Sequence, residues 1–317
     1  ATGAPASAST ATEAEARAVC AGACHRFPPA DILPRAAWRD ALARMMLIRD
    51  GLPELAGAKY DLPLPPDWLR VLRYYESHAP DALPEAEPWP PITASKVRLT
   101  RHALAPPVAS DMPAIANVRF VDVDEDEAIE IIASDMRTGE VLRIDPRGKL
   151  GVKTLATLRN PAHIEMADLD EDGRRDLLVA DLGSLLPADH ENGTLYWLQQ
   201  QRNGAFKAIA VADKLARLAD AQVADFDADG DLDIVLAVFG WRLTGQIMLL
   251  ENQTKDWAAP SFVQKTLDRR TGAIHVPIAD LDENGRPDFV ALLAQEHESV
   301  VAFLNTPTSP AFKAETI

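Results

Sequence analysis

Three stretches of this chain follow one nine-residue pattern that decides the fold: Asp168–Asp176 reads DLDEDGRRD, Asp225–Asp233 reads DFDADGDLD and Asp280–Asp288 reads DLDENGRPD. Each is followed by an apolar, strand-forming run such as IVLAVF. A degenerate copy, DVDEDEAIE, occupies Asp122–Glu130. Successive copies start 46, 57 and 55 residues apart, about the length of a four-stranded propeller blade. The pattern predicts an all-β region of about four repeats.

The acidic residues in each copy have the spacing of a calcium loop. Carboxylates at positions one, three and five converge on one point, and Ca²⁺ takes six to eight oxygen ligands. A glycine at position six allows the backbone to reverse sharply, and the acid at position nine, rather than twelve, distinguishes the loop from an EF-hand. The predicted side-chain ligands are Asp168, Asp170, Asp172 and Asp176; Asp225, Asp227, Asp229 and Asp233; and Asp280, Asp282, Asn284 and Asp288. Backbone oxygens alone are expected from the seventh residues, Arg174, Asp231 and Arg286.

The first copy departs from this pattern. It has Glu127 where the others have glycine, so the same turn would be strained. Its acids could form a fourth calcium site or a turn that has lost its ion, and they are Asp122, Asp124, Asp126 and Glu130. Solvated acidic turns are the alternative for all copies, but three copies in phase favour three calcium ions with a possible fourth.

These loops resemble the calcium loops of FG-GAP/VCBS repeats, the β-propeller blades of integrin α-chains and many exported bacterial proteins. The resemblance implies a propeller over residues 96–317 with structural calcium, and it leaves the function open. Seven blades would need well over the roughly 220 residues available, so we expect an incomplete ring. Phe312–Ile317 matches the strand before another blade rather than a cap.

Residues 1–95 have a different, helical character. Helices are predicted at Ala11–Cys20, Pro34–Arg49 and Pro66–Ser77, where two of the segments place proline at the first helical position. The proline-rich stretch at about 79–95 cannot continue a helix. We therefore predict a multidomain chain, with a small all-α domain over 1–95, including this linker, and blades over 96–317.

A cysteine motif precedes the second predicted helix. Cys20 and Cys24 are separated by three residues, and His25 follows directly. In c-type cytochromes two such thiols attach haem and the adjacent histidine ligates the iron, although two intervening residues are usual. A Cys20–Cys24 disulfide or two free thiols are the alternatives.

The surrounding sequence resembles the small cytochrome c-like domain that precedes VCBS propellers in some exported bacterial proteins. The matching stretches are Cys24–Met45 and Leu62–Pro84. This resemblance implies one covalent haem c with Met45 as the sixth iron ligand. Other candidates for that position are Met46, His78 and His102.

Composition limits the possible partners. The 317 residues carry 48 acidic against 32 basic side chains, a net charge of −16, which argues against a nucleic-acid partner. No apolar run is long enough to form a transmembrane segment. The Ala/Ser/Thr-rich start resembles a processed exported protein. We expect a periplasmic or extracellular location.

Together these features predict an exported c-type cytochrome for electron transfer, with a Ca²⁺-stabilised β-propeller that docks a redox partner protein. One alternative is a calcium-dependent binding or adhesion propeller without haem, and another is a redox propeller enzyme. We expect an electron-transfer protein more than a catalyst. His163 and His275 each precede a repeat by five residues, and they are interpreted as core or loop histidines.

Overall fold

The computed structural model describes residues 9–20, 27–50, 59–60, 62–90, 97–108, 110, 112–147, 151–295, 297–307 and 311–317. The chain divides into two compact units, Ala1–Leu99 and Thr100–Ile317. We call them the helical unit and the sheet unit.

The described residues of the helical unit form three short α-helices: α1 (Glu13–Cys20), α2 (Trp38–Arg49) and α3 (Pro66–His78). At the start of α1, the Thr12 backbone N–H donates to Glu15 (2.8 Å), and the Glu15 N–H donates to Thr12 Oγ1 (3.3 Å). This reciprocal pair caps the helix. None of the helices in the described ranges is long and apolar enough to cross a membrane.

The core of the helical unit is aromatic. The rings of Trp38 and Tyr75 stack with centroids 3.7 Å apart, and Leu42, Trp68 and Cys20 are buried in the same cluster. The predicted third helix is confirmed as α3, and its bounds agree to within two residues. The predicted second helix begins with a separate 3-10 turn that precedes α2. Proline at the start of α3 favours helix initiation there.

In the part of the sheet unit that the structure describes there are four antiparallel sheets, which we call blades one to four in chain order. Blade one contains β1 (Ile115–Val121), β2 (Glu130–Asp135), β3 (Glu140–Ile144) and β4 (Val152–Thr157). Blade two contains β5 (Pro161–Ala167), β6 (Asp176–Asp181), β7 (Gly193–Gln200) and β8 (Phe206–Leu215). Blade three contains β9 (Leu218–Ala224), β10 (Asp233–Val238), β11 (Gln246–Asn252) and β12 (Phe262–Asp268). Blade four contains β13 (Ala273–His275), β14 (Ile278–Ala279), β15 (Asp288–Leu293), β16 (Ser299–Thr306) and β17 (Ala311–Thr316).

Neighbouring blades pack in the order of the chain. Their innermost strands contact one another from β1 to β5, from β5 to β9 and from β9 to β13, without comparable packing between the described strands β13 and β1. The blades therefore form an open arc. Most of Phe312–Ile317 lies in β17, which pairs with β16 at the outer edge of blade four. This is the position of the last strand of a blade.

The hydrophobic core lies between the blades. Both β6 and β10 are buried along their full length. In the first three acidic loops the second residue, Val123, Leu169 or Phe226, packs at the interface with the next blade. Leu281, the equivalent residue of blade four, is 41% exposed. Each loop therefore supplies a buried apolar side chain only where another blade covers it.

Candidate calcium sites

Each acidic loop joins the innermost strand of a blade to its second strand. The first aspartate directly follows the innermost strand, and the ninth residue is the first residue of the second strand. These ninth residues, Glu130, Asp176, Asp233 and Asp288, are all buried. The repeat in sequence is therefore also a repeat in position, at the same end of every innermost strand.

The first aspartate organises each loop by accepting two backbone hydrogen bonds. Asp168 Oδ1 and Oδ2 accept from the N–H groups of Asp172 (3.0 Å) and Gly173 (2.9 Å). The same pair of bonds recurs at Asp225, Asp280 and Asp122. These bonds fix the carboxylate at the turn and curl the backbone around it.

The backbone takes a left-handed conformation at positions four and six in all four loops. Position six has φ of 84° at Gly173, 99° at Gly230 and 81° at Gly285, a region that glycine adopts without strain. Glu127 occupies it at 67°. A non-glycine residue in this region is strained by about 1–2 kcal/mol, so the predicted strain in the first copy is present.

The ninth carboxylate connects three segments of a blade. Asp288 Oδ2 accepts from the Leu281 N–H (2.8 Å), and Oδ1 accepts from the Asn305 N–H on β16 (2.7 Å). Asp233 does the same with Phe226 (3.2 Å) and Asn252 (2.8 Å). This residue therefore has a structural role in addition to any role as a ligand.

The carboxylates in each loop are close enough to share a cation. In every loop, one oxygen from each of three acids lies within 4.8 Å of the others. The groups are Asp122, Asp124 and Glu130; Asp168, Asp170 and Asp176; Asp225, Asp227 and Asp229; and Asp280, Asp282 and Asp288. Three predicted ligands in each loop are thus brought together in space, whereas Asp126, Asp172 and Asp233 do not belong to these groups of close oxygens.

Burial and mutual repulsion disfavour the charged forms of several of these acids. Burial raises the pKa of Asp176 to about 6 and that of Asp233 to about 7. Burial and the Asp229 carboxylate raise the pKa of Asp231 to about 6. A divalent cation would offset both effects, because it favours the ionised carboxylates.

Two buried oxygen atoms within the acidic loops have no hydrogen-bond partner among the described residues: Asp170 Oδ1 in loop two and Asp231 Oδ1 in loop three. An unpaired buried oxygen is energetically unfavourable. Oxygen atoms are the ligands that Ca²⁺ prefers. The donor set of these loops therefore fits calcium.

Loop one differs because two arginines neutralise its acids. Arg143 pairs with Asp124 and Glu130, and Arg147 pairs with Asp126 and Glu130, with the two Glu130 distances both 3.1 Å. The other blades have uncharged residues at the position that Arg143 occupies in the pairing of the second and third strands. These residues are Trp197 on β7, Leu249 on β11 and Ala302 on β16. In loop two, the fifth residue, Asp172, forms an ion pair with Arg174. Guanidinium groups therefore supply the positive charge in loop one.

Two of the residues predicted to hold haem are described, and they share one core. Cys20 ends α1 and is buried, and Met45 packs against the same cluster. Burial raises the pKa of the Cys20 thiol to about 11. Cys24 and His25 lie outside the described residues.

The competing sixth ligands are spread over both units. Met46 packs on the same cluster as Met45. His78 Nδ1 donates to the Tyr74 carbonyl oxygen (2.7 Å). His102 belongs to the sheet unit.

A row of polar side chains crosses the innermost strands at the end opposite the loops. Its members stand five residues before each loop: Asn117, His163, Asp220 and His275. Asn117 Nδ2 lies 3.5 Å from His163 Nδ1, His163 Nε2 lies 3.1 Å from Asp220 Oδ1, and His275 Nδ1 lies 3.3 Å from Asp220 Oδ2. The sequence interpretation recognised only the two histidines. The constant offset from each loop was the signal that could have identified all four.

Loops are also bonded to the blade that follows them. Gln200 Nε2 on β7 donates to the Val123 carbonyl oxygen in loop one (2.7 Å). Asn305 Nδ2 on β16 donates to the Phe226 carbonyl oxygen in loop three (2.7 Å). A loop thus forms part of the contact between blades.

Comparison with known proteins agrees with this arrangement. The search of curated proteins found no match. Residues 225–291 match a protein-family model described as an FG-GAP-like repeat. The match runs from loop three to the strand after loop four, so it includes two complete acidic loops. This part of the sheet unit is similar to an FG-GAP repeat.

Proposed function

We propose that the sheet unit is a calcium-dependent, propeller-type interaction scaffold that works in the periplasm or outside the cell. The observation that carries this proposal is the same hydrogen-bonded carboxylate loop at the same end of every blade. The loops lie where neighbouring blades pack, so ions bound there would stabilise the contacts that hold the arc together. Calcium loops of modest affinity are occupied best in calcium-rich compartments.

Three ions are proposed, in loops two, three and four. Arg143 and Arg147 already compensate the acids of loop one, and a calcium ion there would have to displace two guanidinium groups. Because close positive charges repel, the first loop is expected to remain free of metal.

A calcium titration followed by isothermal calorimetry tests this proposal. We expect three ions per chain. Single substitutions Asp168→Ala, Asp225→Ala and Asp280→Ala should each reduce the number to two, since each removes a first-position ligand. The matched substitution Asp122→Ala should leave three. Fewer than three ions in the wild-type protein, or loss of an ion on Asp122→Ala, would contradict the assignment.

A second candidate function concerns the helical unit. We infer that it carries one covalent haem c, which would make the chain an exported electron-transfer protein whose blades dock a redox partner. The shared core of Cys20 and Met45 favours this candidate, because a tethering thiol and an axial thioether must reach the same group. Haem would supply one-electron chemistry, with Cys20 and Cys24 as tethers and His25 as the proximal ligand.

Visible spectra and the denatured mass test the haem proposal. The purified protein should show a sharp reduced α-band and the added mass of one haem. Met45→Ala should change the ferric spectrum and lower the reduction potential, because thioether ligation raises it. Met46→Ala is the matched control and should change neither. A colourless protein lighter by two hydrogens would instead indicate a Cys20–Cys24 disulfide.

A further inference from the structure

A cleft of about 310 Å³ opens at the end of the innermost strands opposite the calcium loops. All four blades contribute to its lining. His163 near the start of β5 lines it, whereas Asp168 follows the other end of that strand. Seven residues of strand span roughly 20 Å. The cleft is therefore separate from the loops, and its volume falls within the range of small-molecule sites.

The cleft contains a positive charge that has no hydrogen-bond or ion-pair partner among the described residues. Arg217 lines it, and its guanidinium makes no hydrogen bond or ion pair with any residue in the described part of the chain. The Nε atom of Arg217 is buried, and burial lowers the pKa of this side chain. A poorly solvated, unpaired guanidinium attracts an anion, and a carboxylate can pair with it through two hydrogen bonds.

The surroundings of Arg217 are fixed in place. Its carbonyl oxygen accepts from the Phe239 N–H (2.7 Å) and the Gly240 N–H (3.3 Å). The guanidinium carbon lies 5.6 Å from the centre of the Phe239 ring. Leu182 and Ile274 add apolar surface to the same cleft. A preorganised cation beside an apolar wall suits a ligand with one acidic group and an apolar body.

The other polar groups in the cleft are mostly satisfied. Asp220 pairs with both His163 and His275, so these imidazoles already have a carboxylate partner. The exception is Asn117, whose buried Oδ1 has no hydrogen-bond partner among the described residues. One unmatched cation and one unmatched acceptor therefore line the same space.

We propose that this cleft binds a small hydroxy acid with one carboxylate and an apolar body. The carboxylate pairs with Arg217, the hydroxyl donates to Asn117 Oδ1, and the apolar body contacts Leu182 and Phe239. The ligand should carry a single negative charge, because Arg217 is the cation of the cleft that has no hydrogen-bond or ion-pair partner among the described residues.

Calorimetric titration with 3-phenyllactate as the probe, in saturating calcium, tests the proposal. Arg217→Leu should weaken binding by about 10- to 100-fold, the effect of losing a charge-assisted pair, and Arg217→Lys should weaken it less. Asn117→Leu should abolish the preference for 3-phenyllactate over 3-phenylpropanoate, which lacks the hydroxyl. Arg269→Leu removes an exposed arginine from the connector between blades three and four and should have no effect. Thermal melting of each variant establishes that it is folded.

Three results would overturn the proposal. The first is that wild-type protein does not bind 3-phenyllactate, and the second is that the neutral 3-phenyllactamide binds equally well. The third is that inorganic phosphate binds through Arg217 while the organic acid does not. None of them affects the calcium stoichiometry, so failure here is distinguishable from failure of the calcium proposal.

Discussion

Removal of calcium should lower the melting temperature of the sheet unit by more than ~15 °C. A ligand present at one hundred times its dissociation constant stabilises the folded state by about 2.7 kcal/mol per site. Three independent sites would contribute about 8 kcal/mol, and each kcal/mol shifts the melting temperature of a unit this size by about 2–4 °C. Without an ion, the raised pKa of Asp233 reflects the unfavourable burial of its carboxylate.

Scanning calorimetry in excess calcium and in excess chelator measures this shift. Asp122→Ala provides the control, because its loop is not expected to bind an ion and the difference between the two conditions should be unchanged. Equal melting temperatures in calcium and chelator would exclude a stabilising role for the ions.

The second large effect is expected from Asp288→Ala. This buried side chain accepts the N–H groups of Leu281 and Asn305 and is also a predicted calcium ligand. Its removal leaves both donors without their partner and eliminates one ion. We expect a loss of about 5–6 kcal/mol in calcium, of which about 2–3 kcal/mol should remain in chelator.

Asp282→Ala is the matched control for this prediction. Asp282 is an exposed predicted ligand of the same loop, so its loss should weaken calcium binding and have little effect in chelator. Urea unfolding of both variants, with and without calcium, separates the two roles. Equal stabilities of the two variants in chelator would mean that the ninth residue acts only as a ligand.

Local signals in the sequence were sufficient for much of the fold. The helix α3 lies where the sequence pattern predicted it, and β6 and β10 follow directly from the acidic motif. The convergence of Asp168, Asp170 and Asp176 could be predicted as well, because the spacing of a tight loop determines which side chains meet. Signals of this kind depend on residues close together in the chain.

Contacts between residues that are far apart in the chain could not be predicted from the sequence patterns. Arg143 lies on β3 and Arg147 lies just after it, so β2 separates both from loop one in the chain. Their ion pairs with Glu130 depend on the register in which β2 and β3 pair. The partnership of Asp220 with His163 and His275 joins three blades. Neither arrangement has a local pattern, because both arise from packing that exists only in the folded chain. The haem assignment stays a prediction.

The hydrogen bonds from Gln200 to loop one and from Asn305 to loop three have a mechanical consequence. Each loop is a joint between two blades, so its stiffness determines how far one blade can tilt on the next. The joint between blades three and four involves a loop that we expect to bind calcium, whereas the joint between blades one and two involves a loop whose acids pair with arginines. Changes in calcium concentration would therefore alter the bending rigidity of one end of the arc more than that of the other.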